Sequence, residues 1–229
     1  MKNGAVLIFA RRPERGKVKT RLDARLGGHL TLLLYRAFLA DTLISAHQSG
    51  AKVILAHTPG PNFPEQALAD ITFPQRGTSF GERFDSSLWD SANSVPAGTP
   101  LVLVGADTPQ LSPIFLRMAL AKLHGYDAVI GPNDNGGFYL LGFSRQPIRV
   151  AHVFDYSAEE EPRELDRLLR RAGLRTAFLE PHFDVDFPED LVRLTQVISE
   201  LERTGAAWIP KNTWDLLRSE SLISLAVRP

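Results

Sequence analysis

The chain has 229 residues, 44% of them apolar, enough for one hydrophobic core of ordinary to large domain size without disulfides or a structural metal. Lys plus Arg and Asp plus Glu number 26 each, so no overall charge favours nucleic acid or an anionic membrane surface, and any electrostatic argument must be local. Cysteine is absent, which excludes thiolate catalysis, Cys-ligated zinc and a disulfide framework.

The first apolar run, Ala5 to Ala10, lies between a glycine and a basic loop and predicts a buried strand. It is too short for a signal-peptide core, and no later segment reaches the roughly 18 apolar residues of a membrane span, so the expected location is cytoplasmic with no membrane partner. Between Gly28 and Gly50 a helix-length stretch is apolar on most sides, with Leu32, Leu39, Leu43 and Ala46 among its apolar positions, and predicts a deeply buried helix. Lys52 to Thr58 reads as the next strand and Ile71 to Phe73 as a short one. Ser79 to Val95 carries Phe84, Leu88 and Ala92 at helical spacing, and Leu101 to Ala106 is the most strand-like segment. Ser112 and Pro113 suit the N-cap and first turn of a helix running to about His124. This alternation predicts a mainly parallel sheet with helices on both faces.

The pattern then changes. DAVIGP and GFYLLGF flank a short turn segment, Asn133 to Gly136, and predict a hairpin-like, partly antiparallel insertion. A charged helix from about Ser157 to Ala172, a strand in RTAFLEP and a helix from near Pro188 follow. Residues 205 to 229 are expected to pack back on the body as a loop and a short helix around Trp214 to Leu217. No repeat or linker divides the chain, so residues 1 to 229 are expected to form one domain.

Several segments could carry chemistry. The loop after the first strand, RRPERGKVKTRL, crowds Arg11, Arg12, Arg15, Lys17, Lys19 and Arg21 around Gly16. Backbone N–H groups and cations at the C-terminal end of a strand can hold phosphates, although this is not a Walker A loop, and a solvated basic turn is the plain alternative. Asp107, just after the strand LVLV, would face the same edge, where a divalent cation could bridge it to phosphate oxygens; a simple Asx turn before Pro109 is the competing reading. In His182 to Asp190, Asp184 and Asp186 project to one side if the segment is extended, while Asp186 with Glu189 has the spacing of a capping box. The turn Asn135-Gly136-Gly137 is a sufficient hairpin signal and also lets a ligand approach the backbone closely. Gly77-Thr78-Ser79-Phe80-Gly81 matches the G-x-S-x-G pattern of a hydrolase nucleophile elbow, but Pro74, Gln75 and Arg76 separate it from a very short strand, which argues against serine hydrolysis. The six histidines form no H-x-x-x-H pair, so a zinc-protease site has no support.

Taken in order, FARRPERGKVKTRL, PQRGTSFGERF, LVLVGADTPQL, GPNDNGGFYLLG and FDVDFPEDL resemble the GT-A-type nucleotide-diphospho-sugar transferase superfamily over residues 4 to 218. Within it the likeness is to small bacterial glycosyltransferase-like proteins, some linked to arsenosugar biosynthesis. It extends more distantly to molybdenum-cofactor nucleotidyltransferases and phospholactate guanylyltransferase. The resemblance implies a Rossmann-like three-layer α/β sandwich with nucleotide and metal at the C-terminal sheet edge. It matches Arg11, Gly16, Lys19 and Arg21 to a phosphate-binding loop, Asp107 and Asp186 to ligands of Mg2+ or Mn2+, and Gly81, Glu82 and Arg83 to a segment near the nucleotide. Asn135, Gly136 and Gly137 fall on the acceptor side, with Asn135 where the superfamily usually carries aspartate.

The expected reaction is metal-dependent transfer from a nucleotide-activated donor to a small-molecule acceptor, with no nucleic-acid partner. The density of cations favours nucleotidyl transfer from an NTP to a phosphorylated acceptor, with Lys19, Arg11 and Asp107 as the catalytic candidates. Glycosyl transfer from an NDP-sugar and a catalytically idle nucleotide-binding module are the alternatives.

Overall fold

The computed structural model describes residues 4–134, 136–155, 157 and 159–219. Seven strands form one mixed sheet: β1 Ala5–Ala10, β2 Lys52–His57, β3 Ile71–Pro74, β4 Leu101–Val104, β5 Ala128–Pro132, β6 Phe138–Phe143 and β7 Thr176–Phe178, in the order β3-β2-β1-β4-β6-β5-β7. β1 runs parallel to β2 and β4, β2 to β3 and β5 to β7. The hairpin expected from the turn after β5 is present, but β6 turns back to insert between β4 and β5, antiparallel to both. The helices are α1 Thr20–Leu26, α2 Gly28–Gln48, α3 Phe80–Asn93, α4 Pro113–Lys122, α5 Glu161–Arg171, α6 Pro188–Arg203 and α7 Lys211–Ser219.

Residue alternation along the strands sorts the core into two layers. Val6, Ile8, Val53, Leu55, Val102 and Val104 pack under Leu39 and Leu43 of α2 and Leu116 and Leu120 of α4. Ala5, Leu7, Ile54, Leu101, Leu103 and Ile130 pack on the opposite face under Phe84 and Leu88 of α3 and Leu165 and Leu169 of α5. A third cluster explains why α2 is apolar nearly all round. Leu34 and Phe38 on its outer side meet Leu22 and Leu26 of α1, Phe183, Val185, Leu191, Leu194 and Ile198 around α6, and Trp214 and Leu217 of α7. This cluster draws residues 183–217 onto α1 and α2, the segment that follows β1.

Two local expectations are corrected. The basic segment is not loop throughout: it turns at Lys19, which has a left-handed backbone (φ 46°, ψ 41°), into α1, so Arg21 lies in a helical first turn. The cap of α6 is not Asp186 with Glu189. Phe187 holds the N-cap position, and Asp190 Oδ2 accepts from the N–H groups of Asp186 (3.0 Å) and Phe187 (2.8 Å). The Asp190 carboxylate satisfies these donors, which leaves the Asp186 side chain turned elsewhere.

At the end of the described chain α7 packs against α2, and residues 220–229, part of the segment 205–229 expected to pack back on the body, lie outside the described residues. The anchor of α7 is Asp41, 2% exposed on α2, which accepts from Asn212 N (3.1 Å), Asn212 Nδ2 (2.8 Å) and Thr213 N (2.8 Å) at the start of α7. Burial pushes the Asp41 carboxyl above its ordinary range, and these donors pull it back. Asp41→Ala leaves buried N–H groups unpaired and is expected to cost about 2 kcal/mol or more, read as a lower urea midpoint, with Asp41→Asn milder.

Candidate active site

Parallel register places the C-terminal ends of β1 and β4 side by side, with Ile8 paired to Val104, so the loops after them share one sheet edge. The chain after β1 is held there at several points. Tyr35 donates to the Arg11 carbonyl (2.8 Å), Arg12 N donates to Thr58 Oγ1 (2.9 Å), and buried Gln75 donates through Nε2 to the carbonyls of Ala10 (2.9 Å) and Ala56 (3.1 Å). From the other end of the chain, Val185 N donates to the Asp107 carbonyl at 2.8 Å, which lays the segment before α6 against the loop after β4.

The Lys19 ammonium lies between the two carboxylates brought together in this way. Its Nζ is 2.5 Å from Asp107 Oδ1 and 2.8 Å from Asp186 Oδ1, and its side chain is only 4% exposed, against 43% and 37% for the two aspartates. Burial alone would lower the ammonium's pKa, but Asp107 and then Asp186 outweigh it and hold Lys19 above its ordinary value. Arg21 adds a looser contact to Asp186 Oδ2 (3.4 Å), with its guanidinium 4.8 Å from the Phe187 ring centroid.

Asp184 forms the floor of the cluster. It accepts from Thr108 Oγ1 (2.6 Å) and Asn133 Nδ2 (2.7 Å), and its carboxyl is pushed up to about 6, first by burial and next by the charge of Asp107. Of these three carboxylates, Asp107 and Asp186 contact the ammonium, and Asp184 is held by neutral donors. Among the described residues, no group of three His, Cys, Asp or Glu side chains has a metal-holding arrangement.

The other sequence candidates are spread along the edge. Arg11 is exposed and its Nη1 donates to the Lys17 carbonyl (3.2 Å), curling over the loop; Gly16 turns that loop at φ 73°. Arg12 pairs with Glu14, so its charge is already partly neutralised. Gly81, Glu82 and Arg83 form the first turn of α3. Glu82 Oε2 accepts from Thr78 N (2.7 Å), Thr78 Oγ1 (2.6 Å) and Ser79 N (3.1 Å), and these hydrogen bonds lower its carboxyl to about 2. Arg83 donates to the Thr78 carbonyl (2.9 Å), and a Cβ on Gly81 would stand 2.7 Å from the Ala151 carbonyl oxygen. The Glu82 and Arg83 interactions are local ones that build the helix start, while Gly81 allows close approach of the chain at Ala151. Asn135 lies outside the described residues, while Gly136 (φ 95°) and Gly137 (φ 74°) make the turn before β6.

Sequence reasoning missed two features. Glu161, at the start of α5, has a half-buried carboxyl raised by desolvation, and its Oε2 lies 3.5 Å from where a Gly137 Cβ would stand. Nothing in the local pattern marks it, because α5 follows β6 by almost twenty residues. The second is an open cavity of about 620 Å³ at the ends of β2 and β3, lined by His57, Asn62, Gln66, Thr72 and Phe73. Gln66 Nε2 donates to His57 Nε2 (2.9 Å), leaving His57 Nδ1 to donate to the Thr58 carbonyl (2.9 Å). The cavity is separate from the Lys19 cluster but reaches the basic loop through Gly60, against which the Arg12 side chain packs.

The parallel sheet with one reversed strand, and a charged edge at the strand C-termini, define the α/β class to which nucleotide-diphospho-sugar transferases belong. The chain belongs to a family of uncharacterized proteins conserved in bacteria, DUF2064, whose sequence model matches residues 33–158. It is similar to a protein from Desulfovibrio desulfuricans G20, described provisionally as a nucleotide-diphospho-sugar transferase, with 30% identity, 99% of each chain covered and a TM-score of 0.81. The fold is shared with 4-diphosphocytidyl-2C-methyl-D-erythritol synthase from Anaerococcus prevotii, at 10% identity and TM-score 0.51, covering 82% of this chain and 93% of that one. No curated protein matches the chain in sequence.

The G-x-S-x-G segment has a structural use. Ser79 is the N-cap of α3, and its Oγ accepts from Glu82 N (3.1 Å) in a reciprocal capping box. Ser79→Ala is expected to cost about 1 kcal/mol in denaturant titration, and a fluorophosphonate probe is expected to leave Ser79 unlabelled. Stoichiometric labelling of Ser79 would contradict this role.

Proposed function

We propose that this protein is a metal-dependent transferase acting on a nucleotide-activated donor, and that the reaction centre is the cluster of Lys19, Asp107 and Asp186. One observation carries the reading: a buried ammonium and two half-exposed carboxylates, from sequence positions far apart, converge at the C-terminal edge of a parallel sheet, where ligands of open α/β folds bind.

Asp107 and Asp186 fit a hard divalent cation such as Mg2+ or Mn2+, since each has exposed carboxylate oxygen and the ion's remaining positions can be filled by donor phosphates and water. Such an ion, when bound, neutralises charge on the phosphate oxygens of the leaving group. Lys19, Arg11 and Arg21 supply the cationic side of the donor's phosphate chain, and Gly16 gives the backbone room to approach it. The cavity beside Arg12 offers the exposed Asn62 amide and the Phe73 ring to a nucleobase. On the acceptor side, Gly136 is partly exposed in the turn before β6, and the Glu161 carboxylate lies over buried Gly137.

The favoured reaction is nucleotidyl transfer. An acceptor phosphate oxygen forms a bond to the α-phosphorus of an NTP, the bond to the bridging oxygen breaks, and pyrophosphate leaves into the cations of the loop. The second reading is glycosyl transfer, in which an acceptor oxygen bonds to the sugar's anomeric carbon and an NDP leaves. Two observations favour it: Arg12 is already paired with Glu14, which reduces the charge free for a triphosphate, and the Desulfovibrio relative is described as a nucleotide-diphospho-sugar transferase.

Thermal-shift titration with NTPs and NDP-sugars in the presence of Mn2+ tests the class, since a ligand that binds only the folded state raises its melting temperature. Arg11→Ala and Arg21→Ala are expected to weaken NTP binding about tenfold each, and NDP-sugar binding less, if a triphosphate is the donor. Equal losses for both ligands select glycosyl transfer. Absence of binding by either ligand class sinks the transferase reading.

A further inference from the structure

Lys19 is the one non-glycine residue among the described residues with a left-handed backbone, a conformation disfavoured for a residue with a Cβ. The strain falls where the chain turns from the basic loop into α1, and the turn aims the Lys19 side chain inward. There its ammonium is almost fully buried, and both of its ion-pair partners are the carboxylates that the proposed function assigns to a divalent cation. Two cations compete here for the same oxygens: Lys19 Nζ already contacts Asp107 Oδ1 (2.5 Å) and Asp186 Oδ1 (2.8 Å), so a divalent ion that takes those oxygens displaces the ammonium from contact and adds its repulsion to it.

We infer that Lys19 is the resident cation of the Asp107–Asp186 site, and that it gives way to a divalent ion only as it transfers to the phosphates of the incoming donor. This inference rests on the functional reading above and adds to it an order of events. In the free protein Lys19 neutralises the two aspartates, which lie beside a third carboxylate, Asp184, held by Thr108 and Asn133. Metal alone must displace Lys19 into solvent with no new partner, and so binds weakly. When metal arrives with a polyphosphate, Lys19 exchanges carboxylate oxygens for phosphate oxygens and keeps its charge compensated. Metal and nucleotide therefore bind with positive coupling, which by linkage is reciprocal. Arg21 does not substitute for Lys19, because it is exposed and reaches only the outer oxygen of Asp186 at 3.4 Å.

The test is Mn2+ binding, followed by water-proton relaxation without nucleotide, in the parent, Lys19→Met, Asp107→Asn and the Lys19→Met/Asp107→Asn double variant. Lys19→Met is expected to bind Mn2+ at least about tenfold more tightly than the parent. That gain should vanish in the double variant, and the enhancement of Mn2+ affinity by CTP or GTP should shrink. A second measurement uses the unaltered protein and does not depend on the variants folding. Amine acetylation read by mass spectrometry is expected to spare Lys19 relative to exposed Lys17 in EDTA, to reach Lys19 in saturating Mn2+, and to spare it again when tripolyphosphate is added. If Mn2+ binds in an Asp107-dependent way but Lys19→Met binds it no more tightly and Lys19 labelling does not respond, the exchange is wrong while the metal assignment stands. If no Mn2+ binding depends on Asp107, exchange and metal assignment fall together, and nucleotide binding in EDTA then decides whether the class of donor survives.

Discussion

The contact between the Lys19 ammonium and the carboxylates of Asp107 and Asp186 is the constraint around which the rest of this molecule is arranged. A buried ion pair is poor evidence of stability, because desolvation consumes much of what the charges return. Here the geometry is demanding as well: a left-handed backbone at Lys19 and a third carboxylate, Asp184, held partly by Lys19's own charge. Strain and like-charge crowding of this kind concentrate where a protein does chemistry, since packing alone would be better served by apolar side chains.

The fold supplies the rigidity this arrangement needs. β1 and β4 deliver the basic loop and Asp107 to one edge by parallel pairing. Tyr35, Thr58 and Gln75 fix the exit from β1 through backbone groups, so the loop is held without spending its cations. Asp186 arrives by a different route. The outer side of α2 joins α1, α6 and α7 in a separate apolar cluster, and Phe183 and Val185, on either side of Asp184, are buried in it. Hydrophobic burial thus sets the position of both acidic side chains to within a residue. Asp190 completes the placement by capping α6 and leaving Asp186 free to face the site.

The charge pattern along the edge bears on donor choice. Of the basic residues clustered after β1, Lys19 is turned inward, Arg21 leans on Phe187 and Asp186, and Arg12 is paired with Glu14. Arg11, Arg15 and Lys17 remain at the surface. The loop is therefore less open to phosphate than its composition suggests. The cavity at the ends of β2 and β3 extends the ligand-accessible edge away from Lys19, with Arg12 and Gly60 between the two.

Local sequence was sufficient wherever short-range physics decides. Period-two and helical apolar patterns, Ser112-Pro113 ahead of α4 and the glycine turn before β6 made the layered α/β architecture legible, because propensity, capping and burial all agree there. It also marked Lys19, Asp107, Asp184 and Asp186 as chemically equipped, since each stands beside a predicted strand end or helix start. It misassigned the cap of α6 because Asp186, Glu189 and Asp190 all have plausible capping spacing, and only the backbone path selects Asp190. That Lys19 lies between Asp107 and Asp186, that β6 inserts beside β4, and that Glu161 comes over Gly137 were decided by tertiary structure alone. Each depends on contacts between residues far apart in the chain, whose energy comes from burying helices against the sheet and against each other, and no local window of sequence contains that information.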